Sequence, residues 1–385
     1  MSTSTHGRYG SGTSGGRRAS SLERDERWAR AAWSVLAEPR TLSACGAVAQ
    51  RGAVESLAAL RAGRFVGGAD LAPRLAVLDV DQLARVVEQR NIRLLVPGDA
   101  QWPTALDDLP DPPFCLYVAS AGHLSQMVER SVSVVGARAA SEYGLTVASD
   151  LAEGLAQRAF TVVSGAAYGI DAAGHRGALA AGGWTIAVLA SGVDRPYPTA
   201  HTRLLRDVAH AGAVVSEVPP GCAPYRSRFL ARNRIIAALG RATVVVEAGL
   251  RSGSLSTAKE ARRLLRPVGA VPGPVTSMTS AGCHALVRET DAVLVTDAAE
   301  VAELAGRIGE HLLVPREDPT RSPVDDLDPI AYAVWSALPV RGVTSTERLA
   351  VSAGMAVPRL LAVLAALEAE DLALRVDGHW RKGST

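Results

Sequence analysis

The chain has 385 residues, 48% of them hydrophobic, enough for a sizeable core spread over two or three domains. Its formal net charge of +2 excludes a global positive field, so any basic site must be local. The four cysteines, Cys45, Cys115, Cys222 and Cys283, are far apart and form no CxxC pair, which argues against zinc and a disulfide framework and fits a reducing cytoplasm.

Residues 1–21 are rich in Ser, Gly and Thr and lack an apolar run, which predicts a disordered tail and no signal peptide. Residues 22–90 are Ala-rich, with Leu and Val at three- and four-residue spacing and glycines at Gly46, Gly52, Gly63 and Gly67-Gly68, which predicts a small helical domain. Residues 91–310 read as an α/β core with its lead-in. From Ile92 to Ala119 the prolines at 103, 110, 112 and 113 forbid helix through much of the segment, and Phe114 to Val118 reads as a strand. Strands then fall at 131–135, 160–163, 184–190, 213–216, 242–247, 267–271 and 292–295, with helices between them. This alternation predicts a doubly wound, mostly parallel, Rossmann-like sheet. Ser141 reads as the N-cap of a helix striped by Leu145, Ala148, Leu151, Ala152 and Leu155.

Residues 311–327 are acidic and Pro-rich and read as a linker. Residues 328–385 carry three helical stripes, a Thr344-x-x-Glu347 capping box and an Asp377-Gly378 turn, a pattern that predicts a winged-helix-like unit. Its third helix sets Arg359 against Glu368, Glu370 and Asp371, poor chemistry for a DNA groove. No run approaches the length of a membrane span.

The chemistry concentrates in turns after the core strands, which in such a sheet share the ligand edge. Ser164 to Asp171, SGAAYGID, is a strand-to-helix turn whose Gly165 and Gly169 let the backbone approach something bulky, and whose free N–H groups favour an anion. Tyr225 to Arg234, YRSRFLARNR, holds Arg226, Arg228, Arg232 and Arg234 around Asn233 with no acid, donors suited to phosphate and base edges. Arg138 after the first core strand points the same way, and Ser252-Gly253-Ser254 before a helix is a further anion cradle. Tyr168 and Tyr197 are candidates for base stacking. Asp171 and Glu247 are expected to support the site by orienting an arginine or receiving backbone N–H groups. His175, His201, His210 and His284 are not paired in sequence with a plausible nucleophile, and no Walker motif, no HExxH and no dinucleotide GxGxxG with its partner acid occurs, so no catalytic residue, metal or cofactor is expected.

In order and spacing, SGAAYGID, FLARNRII at Phe229 to Ile236, VVVEAGLRSGSLSTA at Val244 to Ala258 and Val271-Pro272-Gly273 resemble the DNA-processing protein A (DprA/Smf) family, over about Ile92 to Ala302. The resemblance implies a non-enzymatic protein, homodimeric through its α/β core, that binds and protects single-stranded DNA and loads the RecA recombinase in natural transformation and recombination. It implies DNA contacts from Arg138, Ser164, Gly165, Gly169, Arg226, Arg232, Asn233, Arg234 and Ser252 to Ser254. It also implies a sterile-alpha-motif or helix-hairpin-helix-like module at 22–90, where the match is poor. The chain departs from the family at Ala137, where Ser or Thr is usual, at Leu230, where Pro is common, and at His284, where Asn is usual. The rival reading is a nucleotide-processing enzyme similar to the lysine-decarboxylase-like phosphoribohydrolases, although Ser252-Gly253-Ser254 replaces their PGGxGT turn.

Overall fold

The computed structural model describes residues 20–306 and 323–383. Residues 1–19 of the expected tail and 307–322, which include most of the expected linker, lie outside the described residues. The chain divides into two compact units, Met1–Leu313 and Val314–Thr385.

The first unit begins with five helices, α1 (Glu26–Leu36), α2 (Leu42–Arg51), α3 (Ala53–Arg61), α4 (Ala72–Val77) and α5 (Val80–Gln89). Asp25 caps α1 by accepting from the backbone N–H of Arg27 (2.9 Å) and Trp28. Trp33, Leu36, Leu57 and Leu60 form their shared core, and Phe114 of the lead-in packs into it. These helices are therefore part of the same compact unit as the α/β core.

The sheet then builds through β1 (Arg93–Leu95), β2 (Leu116–Ser120), α6 (Leu124–Val128), β3 (Ser131–Val135), α7 (Glu142–Gln157), β4 (Thr161–Ser164), α8 (Ile170–Ala180), β5 (Thr185–Val188), α9 (Thr202–Ala211) and β6 (Ala213–Ser216). It continues through α10 (Arg226–Leu239), β7 (Ala242–Val245), α11 (Ser254–Arg263), β8 (Val268–Ala270), α12 (Ala281–Glu289), β9 (Val293–Leu294) and α13 (Ala298–Ala305). The nine strands run in the order β1-β2-β6-β5-β4-β3-β7-β8-β9. From β6 to β9 every pairing is parallel, while β1 and β2 add an antiparallel edge. All seven predicted core strands are present. Within the lead-in, read largely as a connector, Arg93–Leu95 is a strand because Leu116–Val118 offers it a partner.

Strands β3 to β7 are buried along their whole length, as expected for a sheet covered by helices on both faces. Two of their polar side chains find backbone partners: the Ser133 hydroxyl donates to Ile236 O (2.7 Å) and that of Thr185 to Val162 O (2.8 Å). Strand order reverses at β3. The chain steps outward through β4, β5 and β6, then returns to place β7 on the other side of β3. Chain segments leaving β3 and β7 diverge there, opening a crevice at their carboxyl ends.

A buried ionic cluster joins the lead-in to this core. Arg234 of α10, 1% exposed, sends Nη1 and Nη2 to the two Glu217 oxygens (3.0 and 2.7 Å), and its Nε lies 3.4 Å from Asp111. Asp111 also holds Arg40 at 2.8 Å, and Arg40 in turn pairs with Glu260 (2.9 Å).

The second unit contains α14 (Pro329–Ala337), α15 (Thr346–Ser352), α16 (Val357–Ala369) and the antiparallel pair β10 (Ala373–Val376) and β11 (His379–Lys382). Asp377 and Gly378 both have positive φ (53° and 80°), as a primed two-residue turn requires. The expected capping box is displaced by one residue. Ser345 caps α15, because Thr344 is held in a backbone bridge with Trp380 (2.9 and 2.8 Å). Among the described residues no single helix is long and apolar enough to cross a membrane.

The Arg234 cluster makes a stability prediction. Glu217→Ala leaves a buried guanidinium without its bidentate partner and should cost about 3–5 kcal/mol of unfolding free energy, read by urea denaturation. A midpoint unchanged from the parent would show that Asp111 alone neutralises Arg234.

Candidate functional site

A cleft of about 870 Å³ opens at the strand-order reversal. Its walls are the loop leaving β3, the first half of α10 and the loop entering α11. Arg138, Arg226, Arg232 and Arg251 line it against one acid, Asp171. The cleft is thus strongly positive in a chain whose net charge is small.

Arg232 sits at its floor, 5% exposed. Its Nη1 donates to Val188 O at the end of β5 (2.7 Å), and its Nε has no partner among the described residues. Burial lowers its pKa to about 10; Asp171 opposes that shift, Arg138 adds to it, and the side chain stays cationic at neutral pH. Burial raises the Asp171 carboxyl, while the Arg232 charge and the Ala167 N–H (3.2 Å) pull it down.

The SGAAYGID turn is shaped around this arginine. A Cβ built on Gly165 would overlap the Arg232 guanidinium, so the bulky group that this glycine admits belongs to the protein itself. Gly169 has φ +75°, and a side chain there would press on the carbonyl of Ala137. Two of the N–H groups expected to be free for an anion are taken: Ala167 N donates to Asp171 and Ile170 N to Ala137 O (3.2 Å). Ser164 is fully buried, and its hydroxyl donates to Val134 O (2.6 Å). Ser164, Gly165 and Gly169 therefore stand behind the cleft wall.

The arginine run is separated by its own helix. Arg226, at the start of α10, is exposed at the cleft. Arg228 turns away and is held by Glu38 through Nε and Nη2 (both 2.8 Å), with Arg74 on the same carboxylate. Arg234, expected in the groove, is instead buried on Glu217, with both its terminal nitrogens occupied. Asn233 lines the cleft and ties α11 in place through Nδ2 to Gly253 O (3.2 Å).

Arg138 is exposed, with its guanidinium 4.9 Å from the centre of the Phe229 ring. Tyr197 packs on the same ring (centroids 5.6 Å apart) and lines the cleft, whereas Tyr168 packs edge-on against His201 away from it. Ser252 and Ser254 share a hydroxyl–hydroxyl hydrogen bond (2.8 Å), and Gly253 caps α11 with no side chain, so that amino end opens towards the cleft. Sequence reasoning missed Phe229 and Arg251. The available signals were an aromatic inside an arginine run and a cation next to the Ser-Gly-Ser turn.

Glu247 is a brace. It accepts the backbone N–H of Ser141 (2.9 Å), the hydroxyl of Ser141 (2.6 Å) and that of Thr279 (3.0 Å). His284 Nε2 bonds the carbonyl of Gly273 (3.0 Å), so it secures the Val271-Pro272-Gly273 turn. Other titratable groups in the core are silenced by burial: His175 is pushed down to about 3 and the Cys283 thiol up to about 12. Among the described residues no three His, Cys, Asp or Glu side chains gather as a metal site would require.

The family model for DNA recombination-mediator protein A matches residues 93–306. A protein named for DNA processing, DprA, in Mycobacterium tuberculosis (strain CDC 1551) is 43% identical over 368 residues, covering 91% of this chain and 93% of that one. Protein Smf of Escherichia coli (strain K12) is 37% identical over 286 residues, covering 73% and 75%. The crystal structure of DNA processing protein A from Streptococcus pneumoniae superposes with a TM-score of 0.61 at 32% identity, over 72% of this chain and 97% of that chain.

The seat of Arg232 is testable. Gly165→Ala should overpack the site and cost about 1–3 kcal/mol in denaturant unfolding. Combined with Arg232→Ala, its cost should shrink, because the overlapping group is gone. Additive costs would place the strain elsewhere.

Proposed function

We propose that this chain, which belongs to the DNA recombination-mediator protein A family, is a DNA-processing protein that binds single-stranded DNA in the cleft at the strand-order reversal. The observation that carries the reading is the exposed Arg138 stacked on Phe229, beside the buried, partly unpaired Arg232 and the open amino end of α11. A flexible single strand needs cations for its phosphates and aromatic faces for its bases. Arg138, Arg226 and Arg251 supply the first; Phe229 and Tyr197 supply the second.

Ser252 to Ser254 offer hydroxyl and backbone donors to a phosphate at a helix amino end. Asn233 positions that loop and lies within reach of a base edge. Arg232, under Arg138, draws the strand inward, and Asp171 keeps it from paying the full cost of an isolated buried charge. Ser164, Gly165 and Gly169 act on DNA only through the shape of the turn, and Arg234 acts through the fold.

The family resemblance extends the proposal to a cytoplasmic homodimer that protects single strands and hands them to RecA in recombination and natural transformation. No enzymatic step belongs to the proposal. In the rival hydrolase reading Glu247 would have to act on a substrate, but its oxygens already hold Ser141 and Thr279.

Arg138→Ala should weaken binding of all single strands alike and flatten the dependence of log affinity on log salt by about 0.7, one phosphate's worth of released counterions. Arg138→Lys should recover part of the affinity, since it keeps the charge and loses the fork. Arg24→Ala serves as the control. Wild-type affinity and slope in folded Arg138→Ala, Arg226→Ala and Arg251→Ala would move the site out of this cleft.

Incubation with nucleotides or DNA should give no turnover. Metal-dependent hydrolysis abolished by Glu247→Ala would restore the rival reading.

A further inference from the structure

Among the described residues, helix α16 of the second unit leaves one face without a partner. Leu360, Leu364 and Leu367 are buried in that unit's core. On the other side Pro358, Leu361, Ala362, Ala365, Ala366 and Ala369 are exposed, Leu361 by 43%. At 100° per residue these six share one arc of about 140°, the width that a packed helix normally covers. Every side chain on it is apolar, and all but two are alanine, so a second helix can approach closely.

The ends of α16 carry opposite charge. Arg359 is exposed near the amino end, and Glu368 and Glu370 are exposed at the carboxyl end. Arg359 and Glu370 are eleven residues apart, about three turns, and so lie along one edge of the helix. The amino end is also bare: its N-cap is Ala356, which offers no side-chain hydrogen bond. A duplex groove would call for cations across this face, and the only one is Arg359 at its rim.

We propose that this face joins two copies of the chain, with α16 packed antiparallel against α16 of a second copy about a two-fold axis. Such an axis exchanges the helix ends and preserves the edge. It therefore sets Arg359 of each copy beside Glu370 of the other, twice over. It also brings each acidic carboxyl end to the other copy's bare amino end, where the helix dipole favours negative charge. Along the middle of the face Pro358 meets Ala369 and Ala362 meets Ala365. One helix face buries less than the roughly 1,000 Å² of a stable interface, so the contact is weak and concentration-dependent. It rests on the second unit alone and stands whether or not the cleft binds DNA.

The test uses the full chain carrying Cys45→Ser and Cys222→Ser, which remove the two cysteines that are not buried. Ala362 and Ala365 lie nearest the axis, so Ala365→Cys should form a covalent dimer on mild oxidation. Pro358→Cys should not, because its counterpart would be about 16.5 Å away, eleven residues at 1.5 Å rise each. Arg359→Glu should cut the Ala365→Cys yield severalfold, and Arg359→Glu with Glu370→Arg should restore it. Equal yields at positions 358 and 365, no dimer at 365, or no recovery in the charge exchange would each overturn the proposal. The second of these results would mean that the chain's first unit or another protein covers the face.

Discussion

The Arg232 guanidinium, seated in the notch left by Gly165, is the contact on which the rest of the cleft depends. A buried cation needs partners, and the fold supplies a strand-end carbonyl from β5 and the nearby charge of Asp171. Both come from elements whose position the sheet dictates. The glycine is required because any side chain there would expel the guanidinium. One nitrogen, Nε, is left unpaired. Its hydrogen-bonding capacity is thus unspent at the floor of a cleft lined by further arginines.

The same helix that delivers Arg232 also anchors the molecule. Along α10, Arg228 reaches back to Glu38 in the loop between α1 and α2, and Arg234 is locked on Glu217 and Asp111. These pairs immobilise α10 from two sides, which holds Arg226, Phe229 and Arg232 at fixed spacing. Glu247 does the corresponding work across the cleft, clamping the start of α7 and the loop at Thr279. The floor of the cleft is preorganised: Arg232 is held in place by the protein itself.

Much of the α/β core was legible in the sequence, because strands covered on both faces read as apolar runs and their helices as amphipathic stripes. All seven core strands stand where Ser131 to Val295 predicts them. Strand β1 was not legible, since three residues acquire strand structure only from a distant antiparallel partner. The cap of α15 moved from Thr344 to Ser345 for a similar reason: a bridge to Trp380, far along the chain, claims the Thr344 backbone.

For the site, the sequence by itself determined which residue types are available: arginines without neighbouring acids, glycines in strand-to-helix turns, and a Ser-Gly-Ser turn before a helix. Local spacing also placed these segments at the carboxyl edge of a parallel sheet, because alternating strands and helices admit few other topologies. Only the tertiary structure decided which way each side chain points. Four arginines within nine residues are close in sequence, yet the helical repeat of about 100° per residue sends them to different neighbours. Arg226 meets the cleft, Arg228 and Arg234 meet carboxylates contributed by remote segments, and Arg232 meets the notch at Gly165. Those partners lie from 17 to 190 positions away, and no window of the sequence contains both members of the longer pairs.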